Sequence, residues 1–136
     1  MKSLRSLART IAFKIIYQRG SIGKQPESEE EMLQPLEKSA SSLQLAKAII
    51  DEAWNRRRAI EASLDAISTQ KKKRLRTLNA LMTLAAAELL YFPNTPPKVV
   101  INEYIEICRA YCPEISTGYC NSMLDKLMKS QRAGVA

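Results

Sequence analysis

The sequence predicts an all-α protein, and three observations support that prediction. Its 136 residues include only four glycines, and they contain few of the alternating β-branched runs that are typical of strands. Apolar residues instead recur at helical spacing, beginning with residues 4–15. Proline and glycine interrupt these segments where turns between helices are expected. We therefore expect a single domain over residues 1–130, followed by a flexible C-terminal tail at 131–136.

The first predicted helix is amphipathic, and the i, i+3, i+4, i+7 spacing of its apolar residues predicts that they face the core. Arg5, Arg9, Phe13 and Tyr17 fall on an adjoining stripe, where guanidinium groups and aromatic rings would share one edge of the helix. Such an edge can bind phosphates and stack unpaired bases. The alternative is that Phe13 and Tyr17 widen the buried face.

Caps and breakers predict where the later helices begin and end. Ser28 precedes three acidic residues that suit the first turn of a helix, and Pro35 keeps that helix short. The Ser39–Ser42 cluster can cap a long helix in which Trp54 anchors the core. Thr95 is the expected cap of the helix that Pro96 opens, and Cys112 before a proline is its expected end.

The net charge of +7 is distributed unevenly. Residues 1–24 contain six basic residues and no acidic one, and a second basic run is formed by Lys71, Lys72, Lys73, Arg74 and Arg76. Clustered basic residues suit a polyanion such as a nucleic acid, although an anionic membrane surface is a rival interpretation. The alternative for the second run is a solvated helix start or loop.

The side-chain chemistry argues against an enzyme. The sequence has no histidine, which removes the commonest general base, and it has no P-loop, Rossmann fingerprint or serine elbow. Cys108 and Cys112 are one helical turn apart, but we expect them to be small buried hydrophobic residues because no further ligands lie near them in the sequence. We predict no catalytic residue, no cofactor and no metal.

Neither a convincing signal peptide nor an apolar run long enough to cross a bilayer is present, which predicts a cytoplasmic protein with no membrane partner. The odd count of three cysteines also argues against a disulfide-built secreted domain.

Three blocks of sequence resemble a known family. Glu88-Leu89-Leu90, the segment PKVVINE that ends at Glu103, and the segment YCNSMLDK from Tyr119 to Lys126 resemble the C-terminal half of the NusB family of bacterial transcription antitermination factors. The opening LARTIAFKIIYQ resembles the start of that family.

The resemblance implies about seven helices in two small sub-bundles and a role in transcription without catalysis. Family members bind the boxA element, a single-stranded RNA sequence of nascent rRNA transcripts, together with the ribosomal protein NusE. The complex supports processive elongation by RNA polymerase, which is therefore an indirect partner.

Carried over by motif, the resemblance and the basic stripe give a set of expected RNA-binding residues: Lys2, Arg5, Arg9, Phe13, Tyr17, Gln18, Arg109 and Tyr119. Lys71, Lys72, Lys73, Arg74 and Arg76 are expected to be auxiliary phosphate contacts. We expect the cationic residues near the amino end to share a surface with Tyr119.

The sequence also departs from the family pattern. Leu78 and Thr83 replace an acid and an arginine, Ile115 replaces an acid, and Ser122 replaces a glycine. These departures motivate an alternative hypothesis, a divergent NusB-like module for protein interaction or homodimerisation without direct RNA binding. A NusB-like domain also begins an rRNA cytosine methyltransferase family, an interpretation that would require a catalytic domain in addition to this sequence.

Overall fold

The computed structural model describes residues 3–20, 28–68 and 74–132. Within those ranges the protein consists of seven α-helices, a short 3₁₀ helix at Gln34–Leu36 and connecting turns. The α-helices are α1 (Leu4–Arg19), α2 (Glu29–Leu33), α3 (Ala40–Asn55), α4 (Arg57–Ile67), α5 (Arg76–Tyr91), α6 (Pro97–Tyr111) and α7 (Thr117–Arg132). The predicted all-α class is confirmed.

Serine side chains cap three of these helices, and the caps of α2 and α3 are the ones that the sequence predicts. The hydroxyls of Ser3, Ser28 and Ser39 accept hydrogen bonds from backbone N–H groups in the first turns of α1, α2 and α3, which satisfies donors that would otherwise have no partner. Helix α6 begins one residue later than predicted, with Pro96 at the N-cap. Helix α7 continues through Arg132, two residues into the predicted tail, and residues 133–136 lie outside the described residues.

Helix α5 is the centre of the fold. Every residue from Ala80 to Leu89 is buried, which is typical of a helix that is surrounded on all sides. It packs on α1 and α3 in one half of the molecule and on α4, α6 and α7 in the other. The helices thus form the two expected sub-bundles, and α5 belongs to the core of both.

Helices α1 and α6 run parallel across this core. The Ser6 hydroxyl near the start of α1 lies 2.8 Å from Glu103 in the first half of α6, whereas the rings of Phe13 and Tyr111, near the ends of the same helices, have centroids 6.2 Å apart. Because α7 follows α6 through a short turn, its first residues lie at the same end of the molecule as Tyr111. This arrangement decides which predicted site residues can be neighbours.

Candidate nucleic-acid interface

Arg9 lies in the core, where it joins α1 to α5 and α6. Only 2% of the residue is exposed, and its Nε and Nη2 atoms donate to the two carboxylate oxygens of Glu88 at 2.8 and 2.6 Å. The Tyr104 hydroxyl donates to the same carboxylate at 2.9 Å. Glu103 lies 3.5 Å from Arg9 Nη1 and accepts a hydrogen bond from Ser6. The guanidinium group is therefore enclosed by acids of its own chain.

The electrostatics of this cluster keep Arg9 charged. Burial alone would lower the pKa of Arg9, but the hydrogen bonds and negative charge of Glu88 outweigh it, so the pKa is raised. Burial, together with the Glu88 charge, holds the pKa of Tyr104 well above its usual value. The expectation that Arg9 lies on an exposed edge of α1 is wrong, because a buried carboxylate 79 positions away claims its guanidinium group.

A strip of aromatic rings crosses the surface where α1 meets α6 and α5. We call it the aromatic strip. It consists of Tyr111, Phe13 and Tyr17, in that spatial order, with Lys14 beside Tyr111 and Arg76 beside Tyr17. Phe13 lies 6.2 Å from Tyr111 and 6.5 Å from Tyr17, measured between ring centroids. Lys14 Nζ lies 4.9 Å above the Tyr111 ring, and Arg76 Cζ lies 4.7 Å above the Tyr17 ring. Cations at these distances are attracted by the ring faces.

The members of the strip differ in exposure. Phe13 is 4% exposed, so it supports the outer rings from beneath, whereas 43% of Tyr111 is exposed. Tyr17 is half-buried, and Lys14 and Arg76 are exposed. Both alternatives for the first helix therefore hold in part, since Phe13 widens the buried face and Tyr17 stays at the surface. Lys14 and Tyr111 were not among the expected site residues.

The pairing of these two residues could not be found from local spacing, because 97 positions separate them in the sequence. One signal was available for Tyr111. It occupies the last position of α6, where a ring with a polar tip can lie against the helix end and still reach water.

Arg5 and Tyr119 lie towards opposite ends of the α1–α6 pair. Arg5 is exposed, but it precedes Phe13 by eight residues, about 12 Å along a helix. Tyr119 lies in the first turn of α7, at the end of the pair that carries Tyr111. Its ring is half-buried, and its buried hydroxyl has no hydrogen-bond partner within the described residues. The turn between α6 and α7 thus places Tyr119 at the Tyr111 end of the pair rather than at the Arg5 end.

The remaining expected residues on the helices have varied surroundings. Gln18 is half-buried and its amide lies 3.6 Å from Met32 Sδ, while Arg109 is exposed and pairs with Glu106 of its own helix. Arg74 pairs with Asp65 at 2.9 Å with only 9% of its side chain exposed, which leaves it poorly placed as an auxiliary phosphate contact. Lys2, Lys71, Lys72 and Lys73 lie outside the described residues.

Three of the four departures from the family pattern lie in or against the core, whereas Ser122 is exposed. Leu78 and Thr83 are 8% and 5% exposed, and the Thr83 hydroxyl donates to the backbone carbonyl of Asn79. Ile115 is partly buried against the same core. The side chains of Leu78, Thr83 and Ile115 therefore add packing rather than a new exposed patch.

The three cysteines are free and buried, as expected for Cys108 and Cys112. Cys108 Sγ lies 3.5 Å from Cys120 Sγ, and burial raises the pKa of Cys112 to about 11. A thiol with a raised pKa, such as that of Cys112, is a poor ligand and a poor nucleophile at neutral pH. Over the described part of the chain, no group of three or more potential ligands is placed to hold a metal ion, and no helix is long and apolar enough to cross a membrane.

The family model of the NusB family matches residues 6–129. The chain belongs to the NusB family. The match covers every helix that contributes to the aromatic strip and to the Arg9–Glu88 pair.

Individual relatives agree with this assignment over shorter segments. The chain is 48% identical over 52 residues to the transcription antitermination protein NusB of Rickettsia massiliae (strain Mtu5), covering 38% of this chain and 33% of that protein. It is 44% identical over 50 residues to the protein of the same name from Rickettsia bellii (strain OSU 85-389), covering 37% and 32%. The matched segment therefore spans about a third of the length of these curated NusB relatives.

Solved structures match over almost the whole chain. NusB of T. maritima superposes with a TM-score of 0.74 at 26% identity, covering 95% of this chain and 93% of that one. A chain in the crystal structure of the antitermination factors NusB and NusE in complex with dsRNA superposes with a TM-score of 0.76, covering 96% and 99%. Its 20% identity makes it evidence for the NusB fold alone.

Proposed function

We propose that this NusB-family chain is a transcription antitermination factor that binds boxA-type single-stranded RNA of nascent rRNA transcripts together with NusE, in the cytoplasm. Bound in this way, it would support processive elongation by RNA polymerase. The proposal assigns it an adaptor role rather than a catalytic one.

The aromatic strip is the observation that carries this proposal. Its exposed Tyr111 and half-buried Tyr17 offer ring faces to unstacked bases, while Lys14 and Arg76 bring positive charge to the same edge. Stacking of one base on an aromatic side chain contributes roughly 1–3 kcal/mol. Bases of a duplex are already stacked on each other, so the strip favours a single strand.

Three further expected residues fit an extended RNA path. Tyr119 and Arg109 lie on the turn side of α6 and α7, towards the Tyr111 end of the strip, where the half-buried ring of Tyr119 and the exposed guanidinium group of Arg109 could contact the strand. Arg5 is exposed at the other end of α1, where it could contact a phosphate beyond the strip. Arg9 is omitted because Glu88 occupies its donors.

We propose NusE as a partner because the chain belongs to the NusB family and because of what a structural neighbour binds. One neighbouring structure contains NusB and NusE in complex with dsRNA. Here we propose that NusE binds beside the RNA and increases the affinity of the complex for boxA, because two linked binding events reinforce each other.

Titration of boxA-type RNA against the full chain tests the proposal. Fluorescence anisotropy would be measured over a range of KCl concentrations for wild type, Lys14→Gln, Tyr111→Ala and the control Lys47→Gln, which changes an exposed lysine of α3. Lys14→Gln should reduce the slope of log affinity against log salt concentration by about 0.7, which is the contribution of one phosphate contact in a single strand. Tyr111→Ala should weaken binding roughly 5- to 160-fold, the equivalent of about 1–3 kcal/mol, with little change in slope.

Two results would reject the RNA interface. One is wild-type binding that does not depend on salt, and the other is equal affinity for Lys14→Gln, Tyr111→Ala and Lys47→Gln. If the chain fails to bind RNA but forms a dimer in light scattering, or is captured by NusE without RNA, the alternative hypothesis of a protein-interaction module gains support. Running the same titration with duplex RNA distinguishes strand preference from general affinity.

A further inference from the structure

A second cationic and aromatic feature adjoins the strip. A groove of about 210 Å³ opens between the end of α1, the α3–α4 junction and the first half of α5. It is lined by Tyr17 and Arg76, by Trp54 and Arg57, and by Asn79. Tyr17 and Arg76 therefore belong both to this groove and to the aromatic strip.

The groove presents hydrogen-bond donors held on aromatic faces. Arg57 Cζ lies 4.1 Å above the Trp54 ring, and Arg57 Nη1 donates to the Trp54 carbonyl oxygen at 2.6 Å. A guanidinium group has five N–H donors, so Arg57 retains donors for a ligand after that bond is made. None of the described residues that line the groove carries a carboxylate.

The size of the groove restricts what it can hold. Pockets for complete small-molecule ligands typically have volumes of roughly 300–1,000 Å³, and this groove is smaller. A single tetrahedral anionic group with two arginines near it fits the donor set, because guanidinium groups bind phosphate oxygens through paired N–H bonds. The shared residues make the groove a continuation of a longer path rather than an isolated pocket.

We propose that this groove is a phosphate subsite for the RNA strand that crosses the aromatic strip, with Arg57 as the binding cation and Trp54 as the platform that orients it. The inference rests on the proposed function, since the strip must bind RNA for the strand to reach the groove. It assigns a role to the Trp54–Arg57 pair, which neither the sequence pattern nor family membership singled out.

The adjacent arginines supply a control. The consecutive residues Arg56, Arg57 and Arg58 must point in different directions on a helix. Arg56 Cζ lies 4.1 Å above the ring of Tyr91, the last residue of α5. Arg58 is exposed and does not line the groove. Arg58→Gln removes the same charge from the same helix as Arg57→Gln without altering the groove.

The experiment compares wild type, Arg57→Gln, Arg57→Lys and Arg58→Gln with synthetic boxA-type single strands of increasing length, at several salt concentrations. For strands longer than a threshold length, Arg57→Gln should reduce the slope of log affinity against log salt concentration by about 0.7. If the two proteins bind equally at 1 M salt, the variant should then bind about fivefold more weakly than wild type at 0.1 M salt. Shorter strands that reach only the strip should bind all four proteins equally. Arg57→Lys should keep the slope, because the charge remains, and should bind less tightly than wild type. Thermal melting checks that each variant is folded.

The outcomes separate this inference from the proposed function. If Lys14→Gln weakens RNA binding but Arg57→Gln behaves like Arg58→Gln at every length, the strip binds RNA and the groove does not. If Arg57→Gln leaves RNA binding unchanged but weakens capture of NusE, the groove binds protein, and the inference is overturned. If no variant of the strip affects RNA binding, the proposed function fails first.

Discussion

Replacing Glu88 by glutamine should destabilise the protein more than any change to its surface charges. Glu88 is fully buried and neutralises Arg9 through three hydrogen-bond contacts of 2.6–3.1 Å. Glutamine has nearly the same volume but no charge, so Arg9 would be left in the core with only Glu103, at 3.5 Å, as an ionised neighbour. Removing one partner of a buried ion pair typically costs about 3–5 kcal/mol.

The cost can be measured as a loss of thermal stability. For a chain of 136 residues, 1 kcal/mol corresponds to about 3–4 °C in Tm, so the cost of about 3–5 kcal/mol should lower the Tm of Glu88→Gln by about 9–20 °C. Circular dichroism during heating, with urea denaturation as a second measurement, gives both values. The matched control is Glu106→Gln, which disrupts the exposed pair with Arg109 and should change stability by less than about 1 kcal/mol.

A triple substitution tests whether the unpaired charge is the cause. Arg9→Met, Glu88→Leu and Tyr104→Phe together remove the charges and the hydroxyl that bind one another, and well-packed apolar replacements of buried ion pairs are often close to neutral. We therefore expect the triple variant to be more stable than Glu88→Gln alone. A Tm for Glu88→Gln within about 2 °C of wild type, on the same scale, would refute the conclusion that Arg9 depends on Glu88.

Three further predictions concern single residues. Burial raises the pKa of Tyr104. The neutral tyrosine therefore stabilises the fold fully below its ordinary pKa, and this stabilisation is lost as the pH rises through the pKa of the folded state. Tyr104→Phe should reduce the loss of Tm above about pH 10, and an unchanged dependence of Tm on pH would contradict this. Arg74→Gln should lower the Tm, since the Arg74 side chain is largely enclosed beside Asp65, whereas Arg76→Gln should weaken RNA binding in the anisotropy assay. A loss of RNA binding for Arg74→Gln and a loss of stability for Arg76→Gln would contradict this assignment. Leu84→Ala opens a cavity at a fully buried position and should cost about 2–5 kcal/mol in urea denaturation, and a cost below about 1 kcal/mol would argue against the central position of α5.

Helix positions could be predicted because their signals are local. Serine hydroxyls cap α2 and α3 where the sequence predicts, and Pro35 lies in the 3₁₀ helix that follows the short α2. The exact start of α6 depends on a single backbone rotation at Pro96, and such boundaries vary by one or two residues.

The fate of Arg9 depended on a distant residue and could not be predicted from periodicity. Spacing on α1 places Arg9 beside Phe13 and Tyr17, but it carries no information about Glu88, which lies 79 positions away. A signal was nevertheless present in the second segment. Glu88 follows a run of alanines and leucines in a helix that is apolar on all sides, and a carboxylate there must be exposed or paired with a buried cation.

The candidate site was predicted in part for the same reason. Tyr17 was expected because it follows the basic stripe along one helix, whereas Lys14 and Tyr111 come together only when α1 packs parallel to α6. The contact between Arg57 and Trp54 depends on how α4 begins at the end of α3. Surfaces assembled from two or more helices are determined by packing, which the pattern of one helix does not specify.

Photo-crosslinking of boxA-type single-stranded RNA to the full chain, with the attachment sites mapped by mass spectrometry, tests the central claim most directly. If the aromatic strip is the RNA interface, crosslinks should concentrate on Tyr17, Tyr111 and the neighbouring Tyr119, and Lys14→Gln should reduce their yield. Crosslinks confined to residues 69–73 or to the exposed face of α3, with none on the strip, would contradict it.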